Sequence, residues 1–153
     1  MLGSLAEAIK AQSEVPEEWD RLKEIFSDKN LQMISFTITE KGYALKGVDG
    51  NYFPFIQKDI DNGPEKPVSA MAVVCALLYE RFQAGKAPLA VVSMDNCSHK
   101  WRKIKKFYSD HGKRVEKKGY VTGEFVNYIS DENQVSFPWS MIDKITPRPA
   151  ESV

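Results

Sequence analysis

The chain has 153 residues, of which 42% are hydrophobic, so it can bury a core and fits one domain or part of a larger one. This composition excludes a disordered or fibrous protein, and the lack of a long apolar run or of a signal-peptide pattern in MLGSLAEAIK predicts a cytoplasmic protein with no membrane span. The formal net charge of zero is unevenly spread, because residues 100–120 carry nine Lys and Arg against Asp110 and Glu116.

The first forty residues predict two helices and a strand. Helical spacing of apolar residues predicts a helix near the start, at Leu2, Leu5, Ala6 and Ile9. A second helix is expected from Pro16, with acidic residues in its first turn and a buried stripe made of Trp19, Leu22, Ile25 and Phe26. Alternating apolar and polar residues over Leu31 to Thr39 predict a strand that ends in T-I-T-E-K-G-Y.

The middle of the chain predicts a parallel crossover. A turn at 48–51 indicates a short hairpin, which Pro54 confines to a sheet edge, and residues 59–67 are rich in turn formers and predict a loop. The clearest helix covers 68–83 and stops near Gly85. A short apolar strand, Leu89 to Val92, follows it. The order strand, helix, strand predicts a right-handed βαβ unit in a parallel sheet.

Two stretches predict one site at the carboxyl edge of that sheet. The apolar strand gives way abruptly to the polar residues Ser93, Asp95, Asn96, Ser98 and His99. In a second stretch, residues 135–149, apolar residues and prolines frame Ser140, Asp143 and Lys144. Ligands of open α/β sheets bind outside the carboxyl ends of the strands, so we expect these two stretches to converge.

The segment between them is basic and leaves two interpretations open. A helical face can be formed by Ile104, Phe107, Tyr108 and His111, with interruptions at Gly112 and Gly119, and Thr122 can cap a further helix containing Phe125, Val126, Tyr128 and Ile129. The lysines and aromatic residues of 100–108 suit phosphate contacts and base stacking on a nucleic acid or another polyanion. Alternatively, the lysines form the solvated face of an amphipathic helix.

Several chemical motifs are absent or incomplete. Neither GxGxxG nor GxxxxGK[ST] occurs, so no phosphate-binding glycine loop is present in these residues. The spacing of Cys97, His99 and His111 matches no zinc motif, so we expect no metal, and with only Cys75 and Cys97 present we expect reduced thiols. A serine hydrolase is disfavoured because there is no GxSxG elbow. The Asn96 amide is suited to donate a hydrogen bond to a reacting oxygen, but Asp95 or Asn96 can equally cap the next helix.

These motifs, taken in order, resemble the long-chain mannitol dehydrogenase family of mannitol and arabinitol dehydrogenases and fructuronate and tagaturonate reductases. The resemblance is carried by ISFTITEKGY, KDIDNGPEKPVSAMAVVCALLYERFQAG, VVSMDNCSH and VSFPWSMIDKITPRP, and it covers about residues 28–99 and 133–149. It departs from the family at Lys100-Trp101, where an Asn-Gly pair is expected.

The resemblance implies an α/β fold, a partial Rossmann-like domain with a mainly parallel sheet flanked by helices. It also implies an oxidoreductase that uses NAD or NADP to move a hydride to or from a sugar alcohol or hexonate, without a catalytic metal. Asn96 and Asp143 would be its catalytic residues, and Thr37, Thr39, Glu40 and Ser93 would lie near the cofactor.

The expected domain is a single incomplete one, residues 1–153, similar to the later part of a cofactor domain. The family's glycine-rich loop would precede Met1, and its lysine motif would follow Val153, so we expect this polypeptide to be inactive alone. Two alternatives remain: a polyanion-binding module that uses residues 100–120, and an interaction protein that self-associates through open sheet edges.

Overall fold

Three parallel strands flanked by helices form the fold. The computed structural model describes residues 5–37, 46–94 and 110–138. The strands are β1 Met33–Phe36, β2 Leu89–Ser93 and β3 Val135–Ser136, in the sheet order β1-β2-β3. The helices are α1 Pro16–Ser27, α2 Pro54–Asn62, α3 Ala70–Gln83, the helical residues 110–117 (α4) and α5 Gly123–Ser130, with a short 3₁₀ turn at Gly63–Glu65. The predicted α/β class is therefore confirmed.

The central strand, β2, has the burial expected of a strand covered on both sides. Leu89, Val91 and Ser93 are buried, and the residues between them are partly buried. β2 pairs with β1 in the register Ile34 to Val91, and with β3 in the register Leu89 to Val135. Both pairings are parallel, so the chain order β1, α3, β2 forms the predicted crossover between neighbouring strands.

Helix α3 confirms the clearest prediction from the sequence. Apolar side chains cover most of the helix surface. The buried ones are Met71, Ala72, Val73, Cys75, Ala76, Leu77 and Leu78. The helix begins at Ala70 because the Ser69 side chain caps it, with its Oγ accepting a hydrogen bond from the Ala72 amide at 3.2 Å. Beyond the C-terminal end, Gly85 adopts a φ of 132°, a conformation that residues with a Cβ rarely adopt.

The predicted first helix is wrong for the part of the chain that the structure describes, because residues 5–15 are not helical. This segment is instead tied to α1 by polar contacts. The Lys10 amide donates to Glu18 Oε2 at 2.6 Å, and Arg21 pairs with Glu7. Leu5 remains 67% exposed. An apolar stripe without a surface to cover does not stabilise so short a helix. Helix α1 itself was predicted correctly, with Trp19 and Phe26 buried.

The segment after β1 corrects two further predictions. The turn at 47–51 is present, and Lys46 and Tyr52 form an antiparallel bridge across it. Pro54, expected in an edge strand, is instead the first residue of α2. Proline suits this position because the backbone N–H that it lacks would have no hydrogen-bond partner within the helix. Residues 59–65, expected to be a loop, continue α2 and then form the 3₁₀ turn.

Helices α4 and α5 pack closely at Gly112. A Cβ added to Gly112 would lie 2.9 Å from the Cδ1 of Ile129, so the glycine permits this approach. The predicted interruption at Gly112 is wrong, because the residue lies within α4. Gly119 ends the turn after α4 with a φ of 81°. The predicted buried face of α5 is confirmed, at Phe125, Val126, Tyr128 and Ile129. Thr122 occupies the N-cap position, but its side chain makes no capping hydrogen bond.

Candidate functional site

The carboxyl ends of β1 and β2 lie side by side. Phe36 and Ser93, the last residues of the two strands, are register partners, and the Met94 amide donates to the Phe36 carbonyl at 2.9 Å. Ser93 is buried, with 7% of its surface exposed, whereas Thr37 follows β1 and is exposed. The structure therefore places two of the predicted cofactor residues, Thr37 and Ser93, at one edge of the sheet.

The other predicted site residues, Thr39, Glu40, Asn96 and Asp143, lie outside the described residues. The structure does establish the direction of the strands that precede them. β2 and β3 are adjacent and parallel, so the chain leaves both strands at the same edge. The convergence of Asn96 and Asp143 at that edge stays a prediction.

The N-terminus of α3 is already occupied by a buried carboxylate. Asp59 in the last turn of α2 has no exposed surface, and its Oδ1 accepts hydrogen bonds from the amides of Val68 at 2.6 Å and Ser69 at 3.3 Å. Its Oδ2 lies 3.2 Å from the Ser69 amide. The N-terminus of a helix is a natural site for an anion, such as a phosphate. The Asp59 carboxylate binds the amides of the two residues that precede α3, so the diphosphate of a dinucleotide would meet a like charge at this helix end.

Topology places this junction near the candidate site. The helix of a βαβ unit runs antiparallel to its strands, so the N-terminus of α3 lies at the carboxyl edge of the sheet and its C-terminus at the amino edge. Asp59 and Ser69 thus belong to the same end of the molecule as Thr37 and Ser93.

Two ionisable groups near Asp59 are held neutral by burial. His111 on α4 is 5% exposed, and burial lowers the pKa of its imidazole to about 4, although the Asp59 carboxylate acts in the opposite direction. Burial likewise raises the pKa of the Cys75 thiol to about 12, so Cys75 is not a nucleophile at neutral pH. Among the described residues there is no group of three or more His, Cys, Asp or Glu side chains placed to hold a metal ion.

Arg81 organises the opposite edge of the sheet, and the sequence analysis missed it. Its guanidinium is 1% exposed and donates five hydrogen bonds to main-chain carbonyls. The bonds are 2.6 to 2.9 Å long. The carbonyls of Phe26 and Asp28 lie at the end of α1, that of Leu31 precedes β1, and those of Ala87 and Pro88 precede β2. The Tyr128 hydroxyl also donates to the Ala87 carbonyl, at 2.8 Å. The sequence does not distinguish Arg81 from its charged neighbour Glu80, which is only partly buried.

The described part of the basic segment is a helix with distinct faces. His111, Gly112 and Val115 are buried, whereas Lys113, Arg114, Lys117 and Lys118 are exposed. Lys118 forms an ion pair with Asp61 of α2. Residues 100–108, on which the polyanion and amphipathic interpretations both rest, lie outside the described residues. None of the helices in the described ranges is long and apolar enough to span a bilayer.

The parallel sheet, its crossover helix and the polar strand ends define the α/β class of dinucleotide-binding domains. Comparison with known proteins makes this specific. The family model of the mannitol dehydrogenase Rossmann domain matches residues 4–153, so the chain belongs to the mannitol dehydrogenase family.

Several members of this family are similar to the chain in sequence or structure. The D-mannonate oxidoreductase of Thermotoga maritima is 44% identical over 153 residues, which is all of this chain and 28% of that protein. The structure of Pseudomonas fluorescens mannitol 2-dehydrogenase in a ternary complex with NAD and D-mannitol superimposes with a TM-score of 0.67 at 28% identity, over 92% of this chain and 27% of that one. A substrate-free D-sorbitol dehydrogenase gives a TM-score of 0.68. The chain thus spans little more than a quarter of the length of these relatives.

Proposed function

We propose that the chain is the later part of the cofactor domain of an NAD(P)-dependent oxidoreductase that acts on a secondary alcohol of a sugar alcohol or hexonate. The observation that carries the proposal is the match of residues 4–153 to the mannitol dehydrogenase Rossmann domain. The 44% identity to a D-mannonate oxidoreductase favours a hexonate among the substrates of this class.

The residues at the carboxyl edge fit one part of a dinucleotide better than the other. Thr37 is exposed after β1 and Ser93 ends the neighbouring strand β2, so both residues lie at the edge where we expect the nicotinamide end of the cofactor. The diphosphate is disfavoured at the N-terminus of α3, because the buried Asp59 carboxylate lies there and would repel it. We therefore assign Thr37, Thr39, Glu40 and Ser93 to the nicotinamide side of the cofactor site.

The proposed catalytic roles follow from hydrogen-bond chemistry. When bound, the nicotinamide cofactor supplies the group that accepts or donates the hydride. Asn96 would donate an amide hydrogen bond to the substrate oxygen on which negative charge develops, and Asp143, which follows β3 in the sequence, would orient the substrate. No general base is assigned to these 153 residues, so we expect no turnover by this polypeptide alone. NAD-dependent oxidation of mannitol or mannonate by the purified chain would contradict that expectation.

A chimera tests the proposal directly. The matched 153-residue segment of the Thermotoga maritima D-mannonate oxidoreductase is replaced by this chain, and NAD-dependent oxidation of mannonate is measured. We expect the chimera to be active, and Asn96→Ala to lower its kcat by about 10²- to 10³-fold, the range typical for loss of one donor to a developing oxyanion.

The matched control is Asn127→Ala, which removes an exposed amide from α5 and should leave kcat within about twofold of that of the chimera. A folded chimera without activity, or an Asn96→Ala variant as active as the Asn127→Ala control, would refute the proposed role of this segment.

A further inference from the structure

Two cations from distant parts of the sequence meet at one aromatic ring. The Nζ of Lys46 lies 4.7 Å from the ring centroid of Tyr52, and the Cζ of Arg114 lies 4.5 Å from the same centroid. We call these three residues the Tyr52 cluster. Both distances are within the range of cation–π attraction, so the ring stabilises each positive charge where it lies.

The backbone around the Tyr52 cluster holds it in place. Lys46 and Tyr52 face each other as an antiparallel bridge, and the turn between them is closed by a hydrogen bond from the Gly47 amide to the Asn51 carbonyl at 2.9 Å. Tyr52 is half-buried and packs against the hydrophobic core. Arg114 is fixed by α4, whose Val115 is 2% exposed. The cluster therefore does not depend on the folding of a flexible loop around a ligand.

The cluster has an excess of positive charge that the described residues do not balance. Some other cations in the same ranges pair with carboxylates, as Lys86 does with Glu124 at 3.0 Å and Lys23 with Glu80 at 3.5 Å. Among the described residues no carboxylate forms an ion pair with Lys46 or Arg114. Both cationic groups lie within 4.7 Å of one ring centroid, so an anion that contacts both would be attracted by both charges.

We propose that the Tyr52 cluster is a binding site for the phosphoryl group of a small phosphorylated ligand. The guanidinium of Arg114 offers paired donors whose spacing matches two oxygens of a phosphate, and the Lys46 ammonium adds a point charge. A phosphate monoester carries close to two negative charges at neutral pH and so matches two cations, whereas a carboxylate carries one. None of these three residues is assigned to the cofactor or catalytic site, so the proposal does not depend on the proposed dehydrogenase function.

The test is a titration of the ¹⁵N-labelled 153-residue chain followed by amide chemical shifts. Inorganic phosphate and glucose 6-phosphate are compared with gluconate and chloride at matched ionic strength. We expect both phosphorylated probes to give saturable shifts at residues 46–52 and 113–115. Binding of inorganic phosphate alone would assign the site to the free ion, and tighter binding of glucose 6-phosphate to a sugar phosphate. Each of these results supports a phosphoryl site.

Variants separate the Tyr52 cluster from general positive charge. Arg114→Gln and Lys46→Gln should each weaken phosphate binding at least fivefold, and the same spectra report whether each variant is folded. The control Lys113→Gln removes one charge from the same helix and should weaken binding less than twofold. Shifts that do not saturate, gluconate or chloride binding as tight as that of phosphate, or an equal effect of Lys113→Gln and Arg114→Gln would overturn the proposal.

Discussion

Replacement of Arg81 by methionine should destabilise the protein more than any surface substitution. Methionine keeps most of the apolar stem but removes the five donors that Arg81 directs at main-chain carbonyls. The bond to the Phe26 carbonyl is buried, and the other four are partly buried. A buried carbonyl without a donor costs about 2 kcal/mol, and each carbonyl that water can reach costs about 0.5 kcal/mol. The Ala87 carbonyl keeps the Tyr128 hydroxyl as a donor, so three such carbonyls remain and the expected loss in free energy of unfolding is about 3.5 kcal/mol.

Urea unfolding followed by tryptophan fluorescence measures this loss, because Trp19 on α1 is buried and reports on the core. The control is Arg21→Met, which removes an exposed arginine paired with Glu7 and Glu24 and should change the midpoint by only a small fraction of the Arg81 effect. An Arg81→Met variant within about 1 kcal/mol of the parent would show that water satisfies these carbonyls and that the guanidinium is dispensable.

Two more predictions concern α4. Burial lowers the pKa of folded His111 to about 4, whereas the unfolded value is near 6.5, so the unfolded chain binds more protons between these values. His111 should therefore cost about 1.5 kcal/mol of stability as the pH falls from 6.5 to 5. Urea midpoints across that range measure the loss, and a His111→Gln variant with the same pH dependence would contradict it. Gly112→Ala should cost about 1–2 kcal/mol despite alanine's higher helix propensity, because the new Cβ would lie 2.9 Å from Ile129 Cδ1. The second change Ile129→Val removes that methyl group, so thermal unfolding of the pair should show part of the loss recovered if the contact is its cause.

Hydrophobic periodicity and the residues typical of element ends were sufficient to predict the helices and strands that form the core. The alternation around Ile34 and Phe36, the apolar run of β2 and the wide apolar face of α3 each predicted an element of the correct type. These patterns are local consequences of burial, so they can be recognised without knowing the partner surface. The strand ends follow directly, and with them the positions of Thr37 and Ser93 at one edge.

The same reasoning failed where the outcome depended on a partner distant in sequence. The stripe at Leu5 and Ile9 has a helical period, but the described segment is held to α1 through Glu7 and Lys10 instead. Pro54 was assigned to a strand edge, although proline at the first position of a helix is equally favourable. No local pattern distinguishes these alternatives, since the choice is made by contacts with other elements.

Asp59 and Arg81 show the limit most clearly, because both are charged residues that the sequence would place in solvent. Asp59 is buried since its carboxylate accepts amide hydrogen bonds at the start of α3, and Arg81 is buried since five carbonyls converge on it. Asp59 satisfies amides nine and ten residues along the chain, and Arg81 satisfies carbonyls up to 55 residues away. Such groups become visible only once the chain is folded.

The two buried charged residues lie at opposite ends of α3 and stabilise opposite edges of the sheet. Asp59 lies at the start of α3, at the carboxyl edge, and Arg81 lies near its end, at the amino edge, where it binds the segments that lead into β1 and β2. Fixing both strands at their amino ends determines where their carboxyl ends lie, because the parallel register is set by residues such as Met33 and Ala90. Arg81 can therefore hold the geometry of the candidate site without touching it. We therefore expect Arg81→Met in the chimera to lower the midpoint of thermal unfolding. Mannonate oxidation should fall only to the extent that the strand ends lose their alignment.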